Sequence, residues 1–326
     1  MGTIDLSTLK FTDRADIVPP SGTAKIINTG IANTLAGDDK ITGTSTSTTE
    51  NGIDNKGTIN TDNGDDTITG HTESNVGYLI GISNFRGTIN TANGDDIVAG
   101  TGKTYGIFNN EGIIDTGNGS DIIKGKGEIG FSNHKATITM GSGDDLITGE
   151  ATISNNWTAL FNSQIIDMGN GSDTITGSGG AWGLVNDGTI NTGNGEDIIT
   201  GAGSFRGIEN NGTIDTGAGK DTVDALTGGF RNNPDVGNGM IILGNGNDEL
   251  KGFGSGRFDG GNGNKDEIFL GQGSYSVSGF PNADGFYTVS YQGIDMFVKN
   301  FELISIAGNP ATTFGFSEII GKSFLV

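Results

Sequence analysis

The sequence predicts an all-β chain wound as a three-sided parallel β-solenoid, a β-helix of about ten coils with a small β cap at its C-terminal end. Three observations carry this expectation. A Gly-rich turn ending in Asp recurs ten times between Asp39 and Asp266. The blocks between turns are short and hold an apolar residue at every second place, which is the strand period. Glycine supplies 60 of the 326 residues, against five prolines, without the three-residue period of collagen.

The repeat has three pieces. A G-I-x-N block comes first, as in Gly106-Ile107-Phe108-Asn109 and Gly207-Ile208-Glu209-Asn210. G-T-I-N/D-T follows, as in Gly188 to Thr192, and then the turn G-x-G-x-D running into x-I-x-G, as in Gly193 to Gly201. Three short strands and three corners in about 24 residues describe one coil of a three-sided solenoid. Coils stacked about 4.8 Å apart would build a rod of about 50 Å. Ile59, Ile89, Ile114, Ile138, Ile166, Ile190 and Ile214 then form one inward ladder, and Ile68, Val98, Ile123, Ile147, Ile175, Ile199 and Val223 a second. No coil buries such a face alone, so stability has to come from neighbours. Asn28, Asn55, Asn84, Asn109, Asn133, Asn162, Asn186, Asn210 and Asn232 recur at one corner, where stacked amides bond one another and cap the backbone.

The turn carries the chemistry. It reads TGNGSD at Thr116–Asp121, MGSGDD at Met140–Asp145, TGNGED at Thr192–Asp197 and LGNGND at Leu243–Asp248. Calcium takes six to eight oxygens, many of them carbonyls and carboxylates, at about 2.3–2.6 Å. Glycines let consecutive carbonyls converge, the Asp adds charge, and two stacked turns together offer about six oxygens. The expected cofactor is therefore Ca2+, several ions of it. These turns resemble the GGxGxDxUx nonapeptides of RTX (repeats-in-toxin, hemolysin-type) calcium-binding proteins over roughly residues 34–271. The resemblance implies a β-roll-like fold with metal held by Asp39, Asp66, Asp96, Asp121, Asp145, Asp173, Asp197, Asp221, Asp248 and Asp266. It also implies ligation by the turn glycines Gly117, Gly119, Gly141, Gly143, Gly169, Gly171, Gly193, Gly195, Gly217, Gly219, Gly244 and Gly246. Asp38, Asp65, Asp95 and Asp144 immediately precede row members and are further candidates.

The departures from the family pattern are informative. Its first Gly is Thr, Met or Leu here, and its second is Leu35, Asp62 or Ala92 in the three earliest turns, which are expected to bind weakly. Tandem family repeats give coils of 18 residues with metal on both sides. Only the Asp248–Asp266 step keeps that length, the others running from 24 to 30, so one row of ions along one edge is expected.

The chain divides into an N-terminal cap at 1–24, the solenoid at 25–271, and a C-terminal β cap at 272–326. Within the last, strands are expected at Tyr275–Val277, Phe286–Tyr291 and Met296–Leu303. That segment resembles the strands that follow the repeats in RTX proteins, and the tail ending Ser323-Phe324-Leu325-Val326 resembles their uncleaved type I secretion signals. Met1 to Lys10 shows no basic and apolar leader, and a secreted or cell-surface location is expected.

Charge and composition exclude several classes. A net charge of −21 is the opposite of the basic footprint of a nucleic-acid binder, and anionic lipid would repel it. No apolar run reaches 18 residues, so no membrane span is expected. With no cysteine there is neither a disulfide nor a thiolate metal site. His71 and His134 lie far apart outside any nucleophile motif, and no catalytic residue is assigned. Two alternatives stay open. One is a carbohydrate-active or other enzyme on this scaffold, for which Asp115, Asp167 and Asp215 sit at equivalent outward places; a solvated face is the plainer reading of them. The other is an ice-binding surface built on Thr58, Thr88, Thr189 and Thr213, a row interrupted by Ile113 and Ile165. Trp157 and Trp182, with Phe131, Phe161 and Phe205, are candidates for an aromatic patch that holds carbohydrate or a cell-surface polymer. The variable stretches 44–54, 71–81 and 150–160 are where loops would carry recognition.

Overall fold

A computed structural model of the chain describes residues 2–153, 157–232, 239–307 and 309–325. The alternating blocks form strands, and the glycine-marked corners turn them through three faces. A representative coil runs Trp182–Asn186 on the first face, Thr189–Asn191 on the second and Ile198–Ala202 on the third. The next coil repeats it at Arg206–Asn210, Thr213–Asp215 and Thr222–Asp224, each strand parallel to its predecessor and in register. The expected β-solenoid is therefore the observed fold.

Alternation turns every second residue inward, and parallel stacking sets like on like. Both anticipated isoleucine ladders are buried, Ile190 on Ile166 and Ile199 on Ile175. A third runs up the first face through Ile82, Ile107, Phe131, Leu160, Leu184 and Ile208. The three meet in one continuous apolar core, which is how a chain only 33% hydrophobic buries enough surface.

The Asn corner is a second, polar spine. Each Nδ2 donates to the Oδ1 of the next coil's Asn at 2.7–2.9 Å, from Asn28 to Asn232. The same amides also cap carbonyls at the corner; Asn133 Nδ2 donates to Ala136 O at 2.8 Å and to Ile165 O at 2.9 Å. Every member is fully buried, so each bond replaces one to water that burial removed.

The two ends extend the winding. Gly2–Asp5 pairs with Ala24–Asn28 on the first face, and Ile17–Val18 pairs with Lys40–Ile41 on the third. At the other end the short 18-residue coil lays one strand, Gly254–Asp259, across two faces. It pairs with Phe230–Arg231 and then with Met240–Ile242, bending at Gly256 (φ +116°). Met296–Leu303 is not the single strand expected. It is Ile294–Lys299 on the second face, a corner at Asn300 (φ +57°), and Leu303–Ile306 on the third. Apolar alternation runs on through that corner, which hid it from a periodicity reading. Antiparallel strands Ser274–Val277, Tyr287–Tyr291 and Ser323–Leu325, with a short helix at Phe316–Ile319, close this end. Among the described residues no helix is long and apolar enough to cross a membrane.

Asn133→Ala removes a buried link and leaves Asn109, Asn162 and two carbonyls short of partners. We expect a loss of about 3 kcal/mol in urea denaturation. Asn118→Ala, in an exposed amide row, should cost under about 0.5 kcal/mol.

Candidate metal centre

The ten aspartates form a single buried column at the corner entering the third face, each at most 2% exposed. The turn holds them there because Asp and the Ile, Val or Leu two places on, such as Asp121 and Ile123, share one inward parity. Each Oδ1 accepts the backbone N–H of the column member one coil before, at 2.7–2.9 Å, from Asp16 N to Asp39 through to Asp248 N to Asp266. The other oxygen, Oδ2, is buried and unpartnered in all ten.

Ten carboxylates one strand spacing apart, out of water, resist ionisation. Asp145 is pushed up to about 8, with burial the largest cause and the flanking Asp173 and Asp121 charges adding to it. Asp96, Asp173 and Asp221 rise to about 7, and Asp66, Asp248 and Asp266 to about 6, again mainly through burial. Asp39, Asp121 and Asp197 are raised by the same cause. A threonine heads the turn beside six of these acids and works against the rise. In five of the six turns, however, its hydroxyl donates to a carbonyl of the next coil, as Thr116 does to Met140 O at 3.2 Å, and Oδ2 stays unpartnered. Met140 takes that place beside Asp145, where the rise is greatest.

The turn glycines divide into two groups. Carbonyls of the first group are engaged coil to coil; Gly117 O accepts from Ser142 N at 3.0 Å and Gly193 O from Ala218 N at 2.8 Å. Among the described residues the second group, Gly119, Gly143, Gly171, Gly195, Gly219 and Gly246, has carbonyls that accept no backbone hydrogen bond. Packing alone already demands glycine here, since a Cβ on Gly143 would lie 1.9 Å from Gly119 O. Leu35, Asp62 and Ala92 keep the same left-handed backbone at φ 64–70°, so the three earliest turns share the shape of the rest at some cost in strain.

Two members of the column escaped the sequence reading. Asp16 donates its N–H to Asp39, and Asp266 N–H donates to Glu302 Oε2 at 2.9 Å, so the ladder runs from Asp16 to Glu302. Asp16-Ile17-Val18 repeats Asp96-Ile97-Val98, and that tripeptide was the available signal. Asp38, Asp65, Asp95 and Asp144 form a parallel exposed row in which each Oδ1 accepts an N–H from the next coil at 2.8–3.1 Å.

The remaining candidates separate. Phe131 is not part of any aromatic patch: it fills the inward Ile position of its G-x-x-N block and is fully buried. Trp157 and Phe205 are exposed, at 37% and 56%. Trp182 packs edge-on against Phe205 at 5.8 Å and donates its indole N–H to Glu209 at 2.9 Å. Asp115, Asp167 and Asp215 recur at every second coil of the second face, separated by Thr139 and Asn191. The Thr58, Thr88, Thr189 and Thr213 row is broken at Ile113 and Ile165 as read from the sequence. Of the variable stretch 150–160, residues 154–156 lie outside the described residues, as does Val326 of the tail.

No protein-family model matches the chain, and no curated protein matches it. Among the described residues no three His, Cys, Asp or Glu side chains gather as a metal cluster. A cation here would therefore take carboxylates from successive coils and complete its shell with carbonyls. The unpartnered Oδ2 column and the free second-glycine carbonyls have the hard-oxygen chemistry that calcium takes.

Raised carboxyl values favour the protonated acid in the fold, so the metal-free fold holds more protons than the unfolded chain between about pH 4 and pH 8. Stability conferred below the unfolded value of 3.8 is lost as pH climbs through 6–8. In chelator, the melting temperature should fall steadily from pH 5 to pH 8 by circular dichroism; a flat or rising profile contradicts this account. Asp145→Asn should flatten the slope.

Proposed function

We propose that the chain is a secreted or cell-surface calcium-binding β-solenoid of the RTX kind, a scaffold with a structural, adhesive or ligand-binding role. A row of Ca2+ between successive Gly-Asp turns holds its coils together. The observation that carries this reading is the column of ten buried carboxylates, each with one oxygen lacking a partner. Such a column is costly when ionised and bare, because every member loses hydration and faces like charges above and below. A divalent cation between coils satisfies two orphaned oxygens at once and turns that repulsion into cohesion. The regular column, and with it part of the chain's −21 net charge, follows from that design.

Calcium then couples folding to compartment. Sites of modest affinity stay empty where calcium is scarce and fill where it is millimolar, so the chain would gain its full stability on export. The C-terminal strands and tail, similar to segments that follow RTX repeats, support the same route.

Titration with calcium is expected to raise the melting temperature and chelation to lower it with loss of far-UV β signal. Each site contributes about 2.7 kcal/mol at a hundredfold excess over Kd. Unchanged melting in excess chelator would sink the proposal. Asp145→Asn and Asp173→Asn should each lower the ion count by calorimetry by one or two, while an exposed control, Asp144→Asn, should change the count less.

A further inference from the structure

The first face ends, at the junction with the C-terminal cap, in a cavity of about 510 Å³ lined by Arg206, Phe230, Arg231, Phe253, Ile294 and Phe297. That volume lies in the range of small-ligand sites. Arg206 is the unusual member. In a molecule of net charge −21 it makes no ion pair among the described residues, a lack it shares with Arg14 of the N-terminal cap, whereas Arg86, Arg231 and Arg257 each face a carboxylate. Its Nε is buried without a partner, and its guanidinium carbon lies 4.6 Å from the centroid of the Phe205 ring. Among the described residues its side chain makes one hydrogen bond, from Nη1 to Phe205 O, and that is long at 3.4 Å. Glu209 is the nearby acid that sequence would offer it. Both Glu209 oxygens are taken, one by Arg231 Nη1 at 2.8 Å and one by the Trp182 indole at 2.9 Å. Asp295 also lines the cavity, with Oδ1 accepting from Ser290 Oγ at 2.6 Å, and it disfavours a ligand of high charge.

Aromatic side chains lead away from this cavity along the same face. Trp182 stands in register one coil before Arg206. Two outward rings, Phe108 and Phe161, flank Ser132 across a second hollow of about 360 Å³, with Tyr105 and His134 at its sides. From Phe108 the row continues through Ser132, Phe161, Val185 and Glu209 to Arg231, five coil steps or about 24 Å. Phe108 stacks on Tyr105 at 4.7 Å and Phe161 on His134 at 6.2 Å, with polar Ser132 and Thr158 between the two pairs, so the strip suits a ligand with apolar ring faces and hydroxylated edges. A forked, unpaired guanidinium at its end suits a planar carboxylate.

We propose that this face binds an acidic glycan, with a uronate carboxylate held by Arg206 in the junction cavity and neighbouring sugar rings stacked on Trp182, Phe161 and Phe108. The site extends the ligand-binding role proposed above and requires the coil stack but no metal.

Trp182 reports on it directly. In a Trp157→Phe background with 1 mM calcium, a hyaluronan tetrasaccharide, which carries a uronate on alternate sugars, should give a saturable change in fluorescence. Chitotetraose, which shares the N-acetylglucosamine and lacks the acid, should bind at least tenfold more weakly. Arg206→Ala should weaken hyaluronan binding at least tenfold with far-UV signal unchanged, and Arg206→Lys should fall between. Equal binding by chitotetraose, an unaltered Kd in Arg206→Ala, or no fluorescence response would each overturn the proposal. Inorganic sulfate producing the same response at the same concentration would reduce the site to a simple anion hole and overturn the glycan. Chelation that leaves the β signal intact would defeat the calcium reading while leaving this measurement valid.

Discussion

Coil-on-coil registry is the constraint on which the rest depends. Each strand must sit on its equivalent at the spacing of hydrogen-bonded β-strands, so each side chain meets its own counterpart above and below. For apolar residues this is simple: isoleucine on isoleucine gives a filled core from few residues per coil. For polar residues the same rule is severe, because like must satisfy like. Asparagine solves it alone, being donor and acceptor at once, and its spine closes from Asn28 to Asn232. Aspartate cannot. One oxygen takes a backbone N–H, and the other waits for a proton or a cation. Two corners of one coil, built under one rule, thus differ in kind: the amide corner is self-sufficient and the carboxylate corner calls for something from solution.

Much of this was legible in the sequence because the period is short and strict. The interval between aspartates set the coil length, alternation placed Ile190 and Ile199 inward, and the recurring asparagine marked a corner. What escaped did so for local reasons. Asp16 enters its place from the cap without a glycine turn before it, and Glu302 fills its place with a different residue. Phe131 lies among the aromatics near Trp157 and Trp182, but its place in the G-x-x-N block is the inward one. Arg206 carries no motif at all; its isolation depends on what Glu209 binds, which no spacing reveals.

Glycine in the turns has two sources of necessity, a positive φ and close stacking on the coil before. Gly143 has no room for a Cβ against the carbonyl one coil away. The first turn glycine, two places earlier, is as close to its neighbour, 1.7 Å for a Cβ on Gly141 against Gly117 O, yet Leu35, Asp62 and Ala92 hold that place in the earliest turns with a positive φ. A glycine-rich turn is therefore by itself evidence of stacking, and the metal argument rests on the carboxylates.

The ladder from Asp16 to Glu302 is directional: every carboxylate reaches back to the coil before it, and the last reach is made by a side chain one methylene longer. Each coil thus asks only for a predecessor and a successor of the same shape. Duplication or deletion of one whole 24-residue unit between two equivalent aspartates, such as Asp173 and Asp197, would leave the carboxylate ladder unbroken. Length in such a molecule is a quantity that a gene can change by simple copying, while the two unlike ends alone decide where growth stops.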